Sequence, residues 1–161
     1  MKKIMITVWS ITLLISTPTH PESVGKSKKN LRETLMKKNS RVTLPSGLQY
    51  EIITAIPDNA AVMPKKGSTV SVHYTGWLAD ANGNPIESKK FDSSVDRKQP
   101  FSFVVGIKQV IAGWDEGILL MKKGEKRRLI IPANLAYGAR SVSTIPANST
   151  LVFDVELLEI Q

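Results

Sequence analysis

The chain carries few of the side chains that ordinary catalysis draws on. It has no cysteine, which excludes a thiol nucleophile, a disulfide framework and a Cys-ligated zinc site. Its histidines are His20 and His73. Neither has the second ligand or the nucleophile that a metal site or a catalytic triad needs, so no metal site is expected. No phosphate-cradling glycine loop, His-Glu-x-x-His or Gly-x-Ser-x-Gly occurs, and the chemistries those motifs carry drop out with them. What remains is a set of aromatic rings beside polar groups. Tyr74 ends an alternating run, Phe91 precedes Asp92-Ser93-Ser94, and Phe101 follows a proline. Trp114 lies in a stretch of helical spacing, Tyr137 adjoins Gly138, and Phe153 sits in the last apolar run. Brought together, such rings make either a binding surface for an apolar group or a plain hydrophobic core, and spacing alone leaves both readings open.

The elements that must position these rings are legible in the pattern. Leu48–Ile53 and Val70–Thr75 alternate as strands, the latter placing Val70, Val72 and Tyr74 on one face and His73 on the other. Asn82-Gly83-Asn84-Pro85 is turn chemistry, so residues 77–90 read as a hairpin or extended loop. Phe101–Val105, Arg128–Ile131 and Thr150–Ile160 are further strands, with Leu151, Phe153, Val155 and Leu157 sharing a face. Val110, Trp114, Ile118 and Met121 recur at helical spacing and predict one amphipathic helix over 108–121, closed by Lys122-Lys123-Gly124. One helix covers one face of an antiparallel sheet, which is an α+β domain.

In order along the chain stand Val72-His73-Tyr74-Thr75-Gly76, Phe91-Asp92-Ser93-Ser94, Val110-Ile111-x-Gly113-Trp114-x-x-Gly117 and Ala136-Tyr137-Gly138. Ile145-Pro146 and Leu151-Val152-Phe153-Asp154-Val155-Glu156-Leu157 follow. Together they resemble the FKBP-type peptidyl-prolyl cis-trans isomerases, the family that binds immunosuppressive macrolides, from about Leu44 to Gln161. Leu44-Pro45-Ser46-Gly47-Leu48-Gln49-Tyr50 is similar to the entry of the bacterial envelope branch, the macrophage infectivity potentiator type. The resemblance implies a twisted antiparallel β-sheet wrapped around one short amphipathic α-helix. It implies an enzyme that needs no cofactor and acts on proline-containing polypeptides, with macrolides as inhibitors.

It also implies roles. Trp114 would floor an apolar pocket walled by Tyr74, Phe91, Phe101, Val110, Ile111 and Phe153, with Ile145 also in the substrate site. Asp92 matches the pocket aspartate, Tyr137 the tyrosine whose hydroxyl bonds a ligand carbonyl, and Ile111 a backbone N–H donor to the ligand. Arg97 matches a basic residue that approaches the aspartate and counts among the substrate-binding set, with a loop salt bridge as good a reading as a direct catalytic role. The catalytic set implied is therefore Asp92, Tyr137, Trp114 and Phe153. The physics is consistent with these roles: rotation about a peptide bond costs about 18–20 kcal/mol because it breaks C–N resonance. An apolar, water-poor pocket favours the less charge-separated twisted amide with no covalent step. A non-catalytic peptide-binding or chaperone module using the same pocket is the alternative. Three departures from the family pattern stand out. Gln109 replaces a glutamate, the 140–145 loop is one residue shorter and carries Thr144, and 80–88 is an insertion without a matching role. The short loop is expected to alter macrolide affinity and substrate preference.

Charge sorts along the chain. The net charge is +8, yet residues 47–161 hold 13 basic and 12 acidic residues. The excess lies in Lys2 and Lys3 and in residues 21–46, where seven basic residues meet two acids. Met1-Lys2-Lys3, the uncharged run Ile4–Ile15 and then Ser16-Thr17-Pro18-Thr19 have the order of an export signal, shorter than the roughly 20 residues of a spanning helix. The expected organisation is a signal peptide or anchor over 1–20, a basic linker with room for a short helix over 21–46, and the isomerase domain over 47–161. The protein is expected to be exported to the periplasm or cell envelope, with secretion or membrane anchoring as alternatives, and to assist folding as a monomer. Residues 21–46 would touch an anionic membrane surface weakly, and no nucleic-acid motif accompanies them.

Overall fold

The computed structural model describes residues 40–161. The expected signal over 1–20 and most of the expected linker lie outside the described residues. Seven strands form one antiparallel sheet: β1 (Val42–Thr43), β2 (Gln49–Thr54), β3 (Thr69–Ala79), β4 (Pro85–Ser93), β5 (Phe101–Val104), β6 (Lys126–Ile131) and β7 (Leu151–Ile160). Their order across the sheet is β1-β2-β6-β7-β3-β4, with β5 paired to β3 beside β4. The single α-helix among the described residues, α1, runs over Ala112–Leu119. Short 3₁₀ turns occupy Asp58–Ala60 and Ala133–Leu135.

The period-two pattern decides which face is buried. Along β3, Val70, Val72, Tyr74 and Gly76 are buried while Ser71, His73 and Thr75 are half-buried on the other side. Along β7, Leu151, Phe153, Val155 and Leu157 lie within the core. On the opposite face, Arg128 and Asp154 are register partners, and the guanidinium donates to both carboxylate oxygens at 2.7 and 2.9 Å. That bond raises the Arg128 pKa further.

The helix packs on β6 through its glycines. A Cβ at Gly113 would stand 2.4 Å from Ile131 Cγ2, and one at Gly117 would stand 2.9 Å from Leu129 Cδ1. These glycines each weaken the helix by about 0.5–1 kcal/mol, and eight residues would not hold a helix in water. Burial of Trp114 and Ile118 against the sheet offsets this. The helix is shorter than the expected 108–121. Lys108 has φ +66°, a left-handed conformation that a helix cannot contain, and Ile111 is extended at φ −59°, ψ 149°. Lys122 and Lys123 fall beyond its end, paired to Asp58 and Glu159 at 2.5 Å each.

Two features lie where the sequence shows no pattern. The sheet begins at Val42, ahead of the domain start expected at Gly47, because β1 pairs with β2 through Val42–Tyr50 and Thr43–Gln49. Arg41 fastens that edge: it donates to Glu51 Oε1 (2.7 Å), to the carbonyl of Asn82 (2.5 Å) and to Asn84 Oδ1 (3.4 Å). The second feature is a buried pair. Glu125 (1% exposed) and Arg127 (5%) meet at 3.1 Å, with the guanidinium carbon 4.5 Å from the Tyr50 ring centroid.

Candidate active site

The strand registers bring the rings together. Gly76 on β3 faces Asp92 across β4 and Phe153 across β7, and Val72 faces Phe101 across β5. Gly76 makes the approach sterically feasible, since a Cβ there would stand 2.7 Å from Phe153 and 2.8 Å from Phe91. The helix then delivers Trp114 to the centre. Its ring lies 5.0 Å from Tyr74 and 5.2 Å from Phe153, both edge-on. Phe91 meets Phe153 edge-on at 5.5 Å, and Phe101 stacks on Phe103 at 5.4 Å. Edge-to-face pairing suits the ring quadrupoles and holds the walls in fixed positions.

These rings surround a cavity of about 870 Å³. Tyr74, Phe91, Asp92, Phe101, Trp114 and Phe153 line it, together with Val110, Ile111 and Tyr137. Trp114 and Phe153 are each 4% exposed, whereas Phe101 at the margin is 40% exposed. The Trp114 indole N–H is buried and has no acceptor among the described residues. No described hydrogen bond involves the hydroxyl of Tyr137, a residue that lines the cavity from the loop after the second 3₁₀ turn.

Asp92 is held rather than free. The Tyr74 hydroxyl donates to its Oδ2 at 2.5 Å, and Arg97 pairs with its Oδ1. Arg97 also donates to the Tyr74 hydroxyl at 3.1 Å and lies 5.9 Å from that ring's centroid. Burial works against the Asp92 charge, but the bonds from Tyr74 and Arg97 outweigh it and keep its carboxyl below the usual carboxylate range. Burial, and then the bond to Asp92, push the Tyr74 hydroxyl above the ordinary tyrosine value. Tyr74 is thus a neutral donor and Asp92 an anion at neutral pH.

Two residues expected in the site lie elsewhere. Arg97 is not on the cavity wall but behind Asp92, acting through it. Ile145 is 6% exposed within the core. Its backbone pairs with Val142 (Val142 N–H to the Ile145 carbonyl, 3.0 Å; the reverse, 2.9 Å) around a two-residue turn with Ser143 at φ +50°. That closure turns the side chain into the protein. Gln109 lines the cavity, and its Oε1 accepts the Val104 N–H at 2.8 Å, so the side chain closes the loop after β5.

Lys108, Asp115, Glu116 and Arg140 also line the cavity, and sequence reasoning missed all four. Asp115 carries a faint signal, an acid in the first helical turn. Its carboxylate ties down the loop before the helix, accepting the Gly106 and Lys108 N–H groups at 2.8 Å each. The other three look like ordinary surface charges.

Comparison with known proteins matches this geometry to one family. The family model described as FKBP-type peptidyl-prolyl cis-trans isomerase matches residues 60–158. The chain is 49% identical over 120 residues to FK506-binding protein 2 of Debaryomyces hansenii, covering 74% of this chain and 84% of that protein. It is 44% identical over 112 residues to the peptidyl-prolyl cis-trans isomerase Fkbp12 of Drosophila melanogaster, covering 69% of this chain and 97% of that protein. Among solved structures, FkpA from Escherichia coli superposes with a TM-score of 0.65 at 41% identity. The match spans 86% of this chain and 60% of that one.

Proposed function

This chain belongs to the FKBP-type peptidyl-prolyl cis-trans isomerases, and from that premise we propose that the cavity over Trp114 is where it turns X-Pro bonds. The observation that carries the proposal is a cavity walled by Tyr74, Phe91, Phe101, Trp114 and Phe153, with one carbonyl-seeking hydroxyl on Tyr137. A proline ring fits between edge-on aromatics. The planar amide is more charge-separated than the twisted one, so removing water destabilises the planar form relative to the transition state. Every 1.36 kcal/mol of that difference gives about tenfold in rate. Tyr137 orients a substrate carbonyl, and the Ile111 N–H offers a second donor. Asp92, fixed by Tyr74 and Arg97, contributes a constant negative field and a rigid wall. It carries no proton, because its depressed pKa keeps it ionised at neutral pH.

A protease-coupled assay on an X-Pro peptide tests this reading. Turnover above the uncatalysed rate is expected. A folded protein that binds the peptide without accelerating it would leave only the peptide-binding module.

Placement in the cell rests on the sequence alone. The order Lys2-Lys3, Ile4–Ile15, Ser16–Thr19 supports export, and the entry segment Leu44–Tyr50 supports the bacterial envelope branch, where the enzyme assists folding as a monomer. The basic residues of 21–46 supply weak attraction to anionic lipid. N-terminal sequencing of the mature protein, with fractionation into membrane and soluble pools, tests both; an intact Met1 in a cytosolic pool would end the export reading. Macrolide binding is carried over from the name of the Debaryomyces relative. The cavity volume supports it, and the tight Ser143-Thr144 turn is expected to tune its affinity.

A further inference from the structure

Two cations on the cavity wall take no part in the reaction as described above. Lys108 comes from the loop between β5 and α1, and Arg140 from the segment after Tyr137; both line the cavity and both are exposed. Among the described residues neither side chain forms an ion pair. Every carboxylate on the same wall is engaged. Asp92 is held by Tyr74 and Arg97, and Asp115 accepts the Gly106 and Lys108 N–H groups. Glu116 Oε1 accepts the Ser46 hydroxyl at 2.8 Å.

Both cations also stand on fixed backbone. The Lys108 N–H is tied to Asp115. The Arg140 N–H donates to the Tyr137 carbonyl at 3.3 Å, and the Asn148 N–H donates to the Gly138 carbonyl at 2.7 Å. A cation at the edge of a low-dielectric cleft focuses its field into that cleft and attracts an opposite charge there.

We propose that Arg140, with Lys108, makes this isomerase prefer prolyl segments that carry an acidic side chain next to the X-Pro bond. The inference rests on the cavity being the isomerase site. Arg140 and Tyr137 line the same cavity, so a chain seated with its carbonyl on Tyr137 passes the wall that carries the guanidinium. A planar guanidinium takes a carboxylate through two parallel N–H bonds, and Lys108 adds a second positive charge from the other loop. The preference is for encounter and binding, so it acts on KM more than on kcat.

The test is kcat/KM for one peptide frame with Glu, Gln or Lys placed directly before or directly after the X-Pro pair. Glu is expected to exceed Lys by about three- to tenfold at low salt, the range that one or two exposed ion pairs give. The ratio should shrink at about 0.5 M salt, where the Debye length falls to roughly 4 Å. In the double variant Arg140→Gln/Lys108→Gln the ratio should fall to about one, in Arg140→Glu/Lys108→Glu it should invert, and Arg140→Lys should keep only part of it. A purely structural role for these residues would lower all peptides together and leave the ratio unchanged. An equal rate for Glu and Lys peptides in the wild-type protein, or a preference surviving the double variant, overturns the proposal. If no peptide of any charge is turned over, the isomerase reading of the cavity fails and this proposal falls with it.

Discussion

Tyr74→Phe isolates the contact that locks Asp92. The substitution keeps the ring against Trp114, Phe101 and Phe153 and deletes only a hydroxyl that donates to Asp92 at 2.5 Å and accepts from Arg97 at 3.1 Å. A hydrogen bond to a charged group contributes about 1.5–3 kcal/mol. The Asp92 side chain is 39% exposed, and solvent screening reduces the expected loss to about 1–2 kcal/mol at pH 7. The dependence on pH separates this from packing. Because the folded-state pKa of Asp92 is depressed, its contribution is complete above the unfolded carboxylate pKa of about 3.9 and is lost as pH falls through the folded value. Once Asp92 is protonated, only a neutral hydrogen bond is left to lose, so the difference between wild type and variant should fall below about 1 kcal/mol. Urea denaturation at pH 7 and at a pH below the Asp92 transition measures both numbers. A loss of the same size at both values would refute the electrostatic account and assign the effect to packing. No loss at pH 7 would refute the contact itself.

Tyr137→Phe removes a hydroxyl with no protein partner among the described residues, so stability should stay within about 0.5 kcal/mol in thermal melts. The same change should lower kcat/KM about two- to tenfold in the protease-coupled assay, the equivalent of one net hydrogen bond. Gly113→Ala places a Cβ 2.4 Å from Ile131 Cγ2. It should destabilise by about 1–3 kcal/mol through overpacking, despite the better helix propensity of alanine; a gain in Tm would contradict the direct packing of α1 on β6. Arg127→Met leaves the Glu125 carboxylate buried without its cation, at a cost of about 3–5 kcal/mol by denaturation. Replacing both as Glu125→Met/Arg127→Met should recover most of that loss.

The sequence was most informative where the physical signal is local. Alternation over 70–75 and 150–160 reports which side of a strand meets apolar surroundings, and the burial of Val70, Val72, Tyr74, Leu151, Phe153 and Val155 follows it. Helical spacing located α1 but overran its ends. Periodicity is blind to backbone conformation, and Lys108 leaves the helical region without changing the pattern. Arg41 and Val42 carried no such signal, since their pairing with Glu51, Asn82 and Tyr50 depends on how distant turns meet.

Composition and order of motifs by themselves determined that this is a cysteine-free α+β chain, that its excess charge lies outside the recognisable domain, and which family it resembles. Whether its aromatic residues fill a core or enclose a space was not in the spacing. That was decided by register: Gly76 opposite both Asp92 and Phe153 lets Phe91 and Phe153 close in from two strands while α1 sets Trp114 beneath them. The same tertiary closure turned Ile145 inward, set Arg97 behind Asp92 and left Arg140 exposed on the cavity wall. Burial and exposure of single side chains depend on contacts between segments far apart in sequence, and no local pattern encodes those.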